Sequence, residues 1–231
     1  MESYSYLREN LDAVKDTVLR HGAGRGDKVT IVAVTKSASD EELLALAALD
    51  VCDMAENRPQ EVLRRKRLLD EAGYAVRMHE IGRLQTNKVK SILPVTAMIH
   101  SLSSLPLAEE IERRATALGI RMPVLIEINS AKEESKSGIF PEDAPRFYES
   151  VRLFPHLALC GVMTMGPLTE DPEAIRPYFR MTKKIFDTIG EQYGYDTDAP
   201  VLSMGMSDSY GVAVEEGSTL VRVGRRLFVH A

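Results

Sequence analysis

The chain has 231 residues, of which 44% are hydrophobic and 27% are charged, a composition typical of a soluble globular protein. The 29 Lys and Arg residues are outnumbered by 34 Asp and Glu residues, which gives a formal charge of -5. Nucleic acids and anionic membranes bind positive surfaces, so this balance predicts neither as a partner.

The cysteines and the N-terminus predict a cytoplasmic protein. Cys52 and Cys160 are too far apart for a metal or redox motif and too few for a disulfide framework. The first residues, MESYSYLREN, are acidic and polar where a signal peptide has an apolar core. No apolar run approaches the ~18 residues of a membrane span.

Short apolar runs alternate with longer amphipathic segments, which is the pattern of repeated βα units and a parallel sheet. A helix over residues 2–21 opens the chain, and eight predicted strands follow at 30–35, 51–55, 76–81, 97–100, 123–128, 159–165, 201–204 and 220–223. Eight units predict an α/β fold, a single (β/α)8 TIM barrel over residues 1–231. An open doubly wound sheet is the alternative, but no G-x-G-x-x-G turn follows the first strand.

Helix-start signals lie between these strands. Ser39 and Glu42 have the spacing of a capping box. Asn57 is suited to cap the helix after the second strand, and Ser207 the helix after the seventh.

Lys36 ends the first strand, and functional residues of barrels lie at the carboxyl ends of strands. The period-two rule places it on the same face as Thr30, Val32 and Val34, which we interpret as the barrel interior. An amine at a low-dielectric rim has a lowered pKa and attacks aldehydes to form imines. Position alone favours the ordinary alternative, a solvated lysine.

Arg222 is expected inside the barrel, because Val221 and Val223 occupy the opposite face of its strand. A buried guanidinium requires a carboxylate, a phosphate or a ring nitrogen as acceptor. A salt bridge to Glu127 and a ligand contact are equally consistent with the sequence.

The loops after the seventh and eighth strands are the usual phosphate site of such barrels. SMGMSD provides Gly205 for close backbone approach and Ser207 as a donor, and Gly224 precedes Arg225. Ordinary alternatives are a helix cap for Ser207 and a tight turn for Gly224.

The histidines show no metal-ligand spacing, and each is interpreted as a structural residue: His21, His79, His100, His156 and His230. A run of methionines is interpreted as packing, or as an apolar wall for a planar ring: Met163, Met165, Met204 and Met206.

An ordered set of motifs resembles the pyridoxal phosphate homeostasis protein family. The motifs are VTK at 34–36, ENRPQE at 56–61, HEIGRLQTNK at 79–88, IHSLSS at 99–104, EESKSG at 133–138, SMGMSD at 203–208 and EEGSTLVRVG at 215–224. The resemblance covers nearly the whole chain. It implies the barrel domain of alanine racemase, without the second domain that completes the racemase.

The resemblance implies that Lys36 forms an internal aldimine with pyridoxal 5'-phosphate (PLP) and that Arg222 faces the pyridine nitrogen. A permanently charged donor at that nitrogen discourages ring protonation and weakens the electron sink needed for catalysis. We therefore expect no catalytic residues, and a protein that holds the cofactor.

The resemblance also implies the remaining contacts. Ser207 and the backbone amides of Gly224 and Arg225 hold the phosphate, Asn57 lies on the hydroxyl side of the ring, and Met204 lies against the ring. The family commonly has Thr where this chain has Arg225, which leaves the effect on phosphate affinity open. Ala55 and Arg58 also replace a Gly and a Tyr that are usual in the family, and the chain ends LFVHA where a Gly commonly follows the Phe.

The predicted function is cofactor homeostasis, with delivery of PLP to PLP-requiring apo-enzymes by a monomer or weak homodimer. One alternative is a small PLP-dependent amino-acid racemase. Another is a barrel isomerase or aldolase that acts on a sugar phosphate through Lys36 without a cofactor. No metal is expected.

Overall fold

The computed structural model describes residues 4–167, 169 and 171–230, so the first residues of the predicted opening helix lie outside the described part. Eight parallel strands form a closed barrel in sequence order, in which the last strand pairs with the first. The strands are β1 Thr30–Val34, β2 Asp53–Glu56, β3 Arg77–Glu80, β4 Thr96–Leu102, β5 Met122–Glu127, β6 Leu157–Met163, β7 Val201–Ser203 and β8 Leu220–Val223. The predicted (β/α)8 barrel is confirmed.

Helices surround the barrel and alternate with its strands. They are α1 Ser5–His21, α2 Asp40–Ala47, α3 Pro59–Glu71, α4 Thr86–Ile92, α5 Leu105–Leu118, α6 Ala144–Val151, α7 Arg176–Tyr193 and α8 Tyr210–Glu215. Short 3-10 turns lie at Gly26–Lys28, Leu93–Val95, Pro172–Ile175 and Arg225–Leu227. None of the described helices is long and apolar enough to cross a membrane.

The core has an inner and an outer layer, because side chains alternate between the two faces of each strand. On β1, Val32 and Val34 pack inside the barrel against Ala55 and Leu220. Ala33, between them, belongs to the outer cluster under the helices. The predicted inward face of the first strand is therefore confirmed at Val32 and Val34.

Strand β6 begins and ends two residues earlier than predicted. Its register against β5 shifts at a bulge opposite Val124 and Leu125. Gly161 lies at this point with φ 153°, and a Cβ there would be 1.9 Å from the carbonyl oxygen of Val201. Only glycine allows this approach of backbone to backbone, which hydrophobic periodicity does not reveal.

The predicted capping box at the start of α2 is confirmed. The N–H of Glu42 donates to the Ser39 hydroxyl (3.1 Å), and the N–H of Ser39 donates to the Glu42 carboxylate (2.6 Å). Three acidic side chains in the first turn add a favourable interaction with the helix dipole.

Two predicted caps are wrong. Arg58, not Asn57, occupies the N-cap position of α3, and Ser209, not Ser207, occupies that of α8. The Ser209 hydroxyl accepts the N–H of Met206 (3.2 Å). Asn57 and Ser207 therefore lie two and three residues before the first residues of their helices, in the loops at the carboxyl end of the barrel.

Candidate functional site

Lys36 and Asn57 lie side by side at the mouth of the barrel. The register pairs Val34, at the end of β1, with Ala55 of β2, and Lys36 and Asn57 each follow two residues later, in the loops that leave these adjacent strands. Both Lys36 and Asn57 are exposed. Gly82 packs directly against the backbone of Asn57, since a Cβ on Gly82 would lie 2.1 Å from the Asn57 carbonyl oxygen.

Arg222 lies inside the barrel, as the sequence predicts, with 3% of its surface exposed. One terminal nitrogen donates to the Ser203 hydroxyl (2.6 Å) and the other to the Thr164 carbonyl oxygen (3.0 Å). Burial lowers its pKa to about 10, partly offset by the negative charge of Glu127. The guanidinium stays charged at neutral pH and is held by neutral acceptors.

The salt bridge between Arg222 and Glu127, one of two alternatives from the sequence, is not formed. Glu127 is buried on β5, and its Oε1 accepts the Ser137 hydroxyl (3.2 Å). Its Oε2 is buried and has no hydrogen-bond partner in the described part of the chain. Burial raises the pKa of this carboxyl. The barrel therefore contains a cation and an acid that leave hydrogen-bonding capacity for a polar ligand.

The loops after β7 and β8 meet beside the end of β1. Gly205 has φ +92°, and Ser207 accepts the backbone N–H of Gly224 (3.2 Å) and of Arg226 (3.5 Å). Gly224 packs against β1, where an added Cβ would lie 3.1 Å from the Val34 carbonyl oxygen. Two glycine-containing loops thus meet beside Val34, which precedes Lys36 by two residues.

The Arg225 side chain lies at the exposed rim of these loops. The guanidinium pairs with Asp208 and is largely exposed. Arg226 instead donates from Nε to the Ser207 carbonyl oxygen (3.3 Å). Asp208 therefore neutralises a charge that the Arg225 side chain would otherwise offer to a phosphate.

The structure does not bring the Met204 side chain to the mouth of the barrel. Met204 is fully buried and packs in the outer cluster with Val212 and Ala213. Met206, two residues on, is 39% exposed in the loop after β7. Strand phase predicts the outward direction of Met204, since Ser203, one residue before it, points into the barrel.

Two histidines, His79 and His100, face each other inside the barrel, although the sequence predicts each as a separate structural residue. The Nδ1 of His79 lies 2.9 Å from the Nε2 of His100, and His79 also contacts Asp53 (3.0 Å). His100 contacts the Ser203 hydroxyl at 3.2 Å. Both histidines occupy inward positions on adjacent strands β3 and β4, and this signal was available from strand phase alone.

A separate group of buried ionisable side chains lies outside the barrel, under α3. Glu56 accepts the Thr35 hydroxyl (2.7 Å), and the Nε of Arg65 lies 2.8 Å from its Oε1. Glu80, on the neighbouring strand, is fully buried and accepts the N–H of Gly82 (2.9 Å). Burial raises the pKa of Glu80 to about 8.

Comparison with known proteins identifies the family of this chain. It is 39% identical over 207 residues to the pyridoxal phosphate homeostasis protein of Aquifex aeolicus, covering 89% of each chain. The chain belongs to the pyridoxal phosphate homeostasis protein family. Residues 3–231 of this family member also match the model of the alanine racemase N-terminal domain family.

Solved structures agree with this homeostasis-family assignment. PipY of Synechococcus elongatus, solved with PLP bound, superimposes with a TM-score of 0.79 at 27% identity, covering 87% of this chain and 93% of PipY. Alanine racemase of Clostridium difficile superimposes with a TM-score of 0.77 at 17% identity, covering 98% of this chain and 60% of the racemase. The racemase is similar in fold.

Proposed function

We propose that the protein binds PLP at the carboxyl end of the barrel, holds it as a Schiff base on Lys36, and serves in intracellular homeostasis of that cofactor. One observation carries the proposal. The register places Lys36, Gly224 and Asn57 on adjacent strand ends, with the buried guanidinium of Arg222 two residues below Gly224 on the same strand. The relatives named as homeostasis proteins and the PLP-bound PipY structure support it.

The residues at the mouth fit the separate chemical groups of PLP. Lys36 is an exposed primary amine, as an aldehyde requires. Arg222 is a buried donor for the pyridine nitrogen. The N–H of Gly224 donates to Ser207, so the loops joined there offer a phosphate the hydrogen of the Ser207 hydroxyl and the backbone N–H of Arg225. Asn57 provides an amide for the ring hydroxyl.

Arg222 favours carriage over catalysis. When bound, PLP stabilises carbanions through a protonated pyridine ring. Arg222 is a donor that stays charged and lacks an ion-pair partner among the described residues. A positive charge at this place disfavours protonation of the pyridine nitrogen that it faces. The site therefore retains the cofactor while leaving its electron sink weak.

The absorption spectrum of the purified protein tests the Schiff base. We expect a band in the visible or near-ultraviolet region that shifts on borohydride reduction, and mass spectrometry that finds a pyridoxyl group on Lys36. Lys36→Ala removes both signals, and Lys184→Ala, at an exposed position on α7, keeps both. An unchanged spectrum in Lys36→Ala contradicts the proposal, as does trapping of a sugar phosphate on Lys36 instead of PLP.

We also propose that the protein works in the cytoplasm and hands PLP to PLP-requiring apo-enzymes. Both cysteines are free thiols, as a reducing compartment favours. Mixing the loaded protein with an apo-enzyme in the presence of a trap for free PLP measures transfer. Sustained exchange of the Cα hydrogen of an amino acid in deuterated water, well above the rate with free PLP, supports the racemase alternative.

A further inference from the structure

A continuous chain of polar groups crosses the interior of the barrel from the amino end of β2 to Arg222. Asp53 contacts the Nε2 of His79 (3.0 Å), and the Nδ1 of His79 contacts the Nε2 of His100 (2.9 Å). The Nδ1 of His100 contacts the Ser203 hydroxyl (3.2 Å), which accepts a hydrogen from Arg222 (2.6 Å). All five side chains are buried.

The two ends of the chain have fixed roles in hydrogen bonding. Burial alone raises the pKa of Asp53, but hydrogen bonds from His79 and Arg77 together lower the pKa to about 2. Asp53 is therefore a carboxylate that only accepts. A guanidinium only donates, so Arg222 donates to Ser203 at the other end.

In the middle of this hydrogen-bonded chain, the donors and acceptors have one consistent arrangement when both imidazoles are neutral. Burial above all, with the positive charge of Arg222 nearby, lowers the pKa of His100 well below its ordinary value, so this ring is neutral. With His79 donating to Asp53, His100 donates from Nε2 to His79 and accepts from Ser203 at Nδ1. Every bond points from Arg222 toward Asp53.

This arrangement determines which way the Ser203 hydroxyl points. Its hydrogen is used on His100, so its lone pairs are available to Arg222. Without an acceptor at His100, the hydroxyl rotates freely, and its hydrogen can turn toward the guanidinium. His100 thus controls an acceptor of Arg222 that it does not itself touch.

We propose that His79 and His100 are positioning residues that orient Ser203 and so fix the Arg222 guanidinium against the pyridine nitrogen of PLP. The proposal rests on the proposed function, in which Arg222 faces that nitrogen. Asp53 anchors the chain from outside the cofactor site, since Arg77 also donates to it (2.7 Å). Residues on β2, β3, β4 and β7 therefore act together on one side chain of β8.

The tautomers of the histidines test the chain without any cofactor. Nitrogen-15 NMR of the cofactor-free protein is expected to show His100 with a proton on Nε2 and a bare Nδ1, and His79 likewise. A proton on the Nδ1 of His100 reverses the chain and overturns the inference. His156, bonded to Glu112 outside the barrel, provides an assigned reference ring.

The pyridine nitrogen of bound, nitrogen-15-labelled PLP tests the effect on Arg222. His100→Phe is expected to weaken PLP binding by about tenfold, the size expected for a hydrogen bond to a charged group, and to shift the pyridine resonance. His100→Gln restores both, because its amide offers one donor and one acceptor. His156→Phe leaves both unchanged.

Other outcomes are separable. If His100→Phe lowers the melting temperature while PLP affinity and the pyridine resonance match the wild type, the histidines are structural and the inference fails. If His100→Phe does not fold, Ser203→Ala cuts the chain at the next link and is expected to give the same shift. Failure of the proposed function appears differently, as a wild-type protein that does not bind PLP.

Discussion

The backbone N–H of Gly224 donates to the hydroxyl of Ser207 (3.2 Å), and this bond joins the loop after β7 to the loop after β8. Ser207 is buried although it lies at the mouth of the barrel. Its hydroxyl accepts from two backbone amides, which leaves its own hydrogen to donate. A phosphate bound at these loops therefore meets a Ser207 hydroxyl whose position is already fixed by the two amides.

Ser207→Ala is expected to weaken PLP binding by about tenfold, since a hydrogen bond to a charged group contributes roughly this factor. Binding of pyridoxal, which has no phosphate, is expected to change little. Titration followed by absorbance measures both, with Ser37→Ala at an exposed position beside Lys36 as the matched control. An equal loss with both ligands assigns Ser207 a structural role instead.

Gly205→Ala is expected to destabilise the same loops by about 2–4 kcal/mol, through backbone strain and overpacking. Gly205 has φ +92°, and a Cβ would lie 2.5 Å from the Cβ of Ala213. Gly73 has a similar φ of +81° with no atom within 4 Å of an added Cβ, so Gly73→Ala reports strain alone. Urea denaturation measures the two free energies of unfolding, and equal losses rule out the clash.

Much of the site follows from the sequence because strand phase and barrel topology are local and repetitive. The alternation in TIVAVTK and in LVRV orients Lys36 and Arg222, and consecutive parallel strands place Gly224 beside β1. The resemblance adds the identity of the ligand, which no periodicity contains.

The errors come from interactions that are not local. Serine is a common helix-capping residue, but the Ser207 hydroxyl accepts a hydrogen bond from the backbone N–H of Gly224, on another loop. The sequence leaves the effect of the Arg225 side chain on phosphate affinity open, and its pairing with Asp208 is a contact that no local pattern predicts. The family resemblance places Met204 against the ring, but its side chain points outward and packs in the outer cluster.

Arg222 and Arg65 are both buried, but replacing each with Met is expected to change the free energy of unfolding by very different amounts. Arg222 is held by neutral acceptors, so Arg222→Met is expected to leave the free energy of unfolding within about 1 kcal/mol of wild type or to raise it. Arg65→Met leaves the buried Glu56 without its cation, at a cost of about 3–5 kcal/mol.

The effects of the same two substitutions on PLP affinity are expected to rank the other way. Arg222→Met is expected to abolish high-affinity PLP binding, and Arg65→Met to retain affinity in the folded fraction. Chemical denaturation of the cofactor-free proteins, followed by PLP titration of each, gives both quantities. A large stability loss in Arg222→Met shows that the guanidinium is structural rather than retained for the ligand.

Glu80 is expected to make the protein less stable as the pH rises from about 4.5 to about 8. Burial raises the pKa of this carboxyl from 4.5 to about 8, so the folded state keeps a proton that the unfolded state releases within this window. The stability that protonated Glu80 contributes is fully present below the pKa of the unfolded state, and it is lost as the pH rises through the pKa of the folded state. Each unit of difference corresponds to about 1.4 kcal/mol.

Glu80→Gln replaces the carboxyl with an amide that does not titrate, so the variant is expected to gain stability over wild type progressively across that window. Urea denaturation at pH 5, 6, 7 and 8, without cofactor, measures the difference. Glu110→Gln on α5 is the matched control, because nearby Arg114 and Arg113 hold the pKa of the Glu110 carboxyl below its ordinary value. That variant is expected to gain nothing between pH 5 and 8. A constant difference between Glu80→Gln and wild type at all four values would show that Glu80 is ionised in the folded protein throughout, with a partner for its buried Oε2.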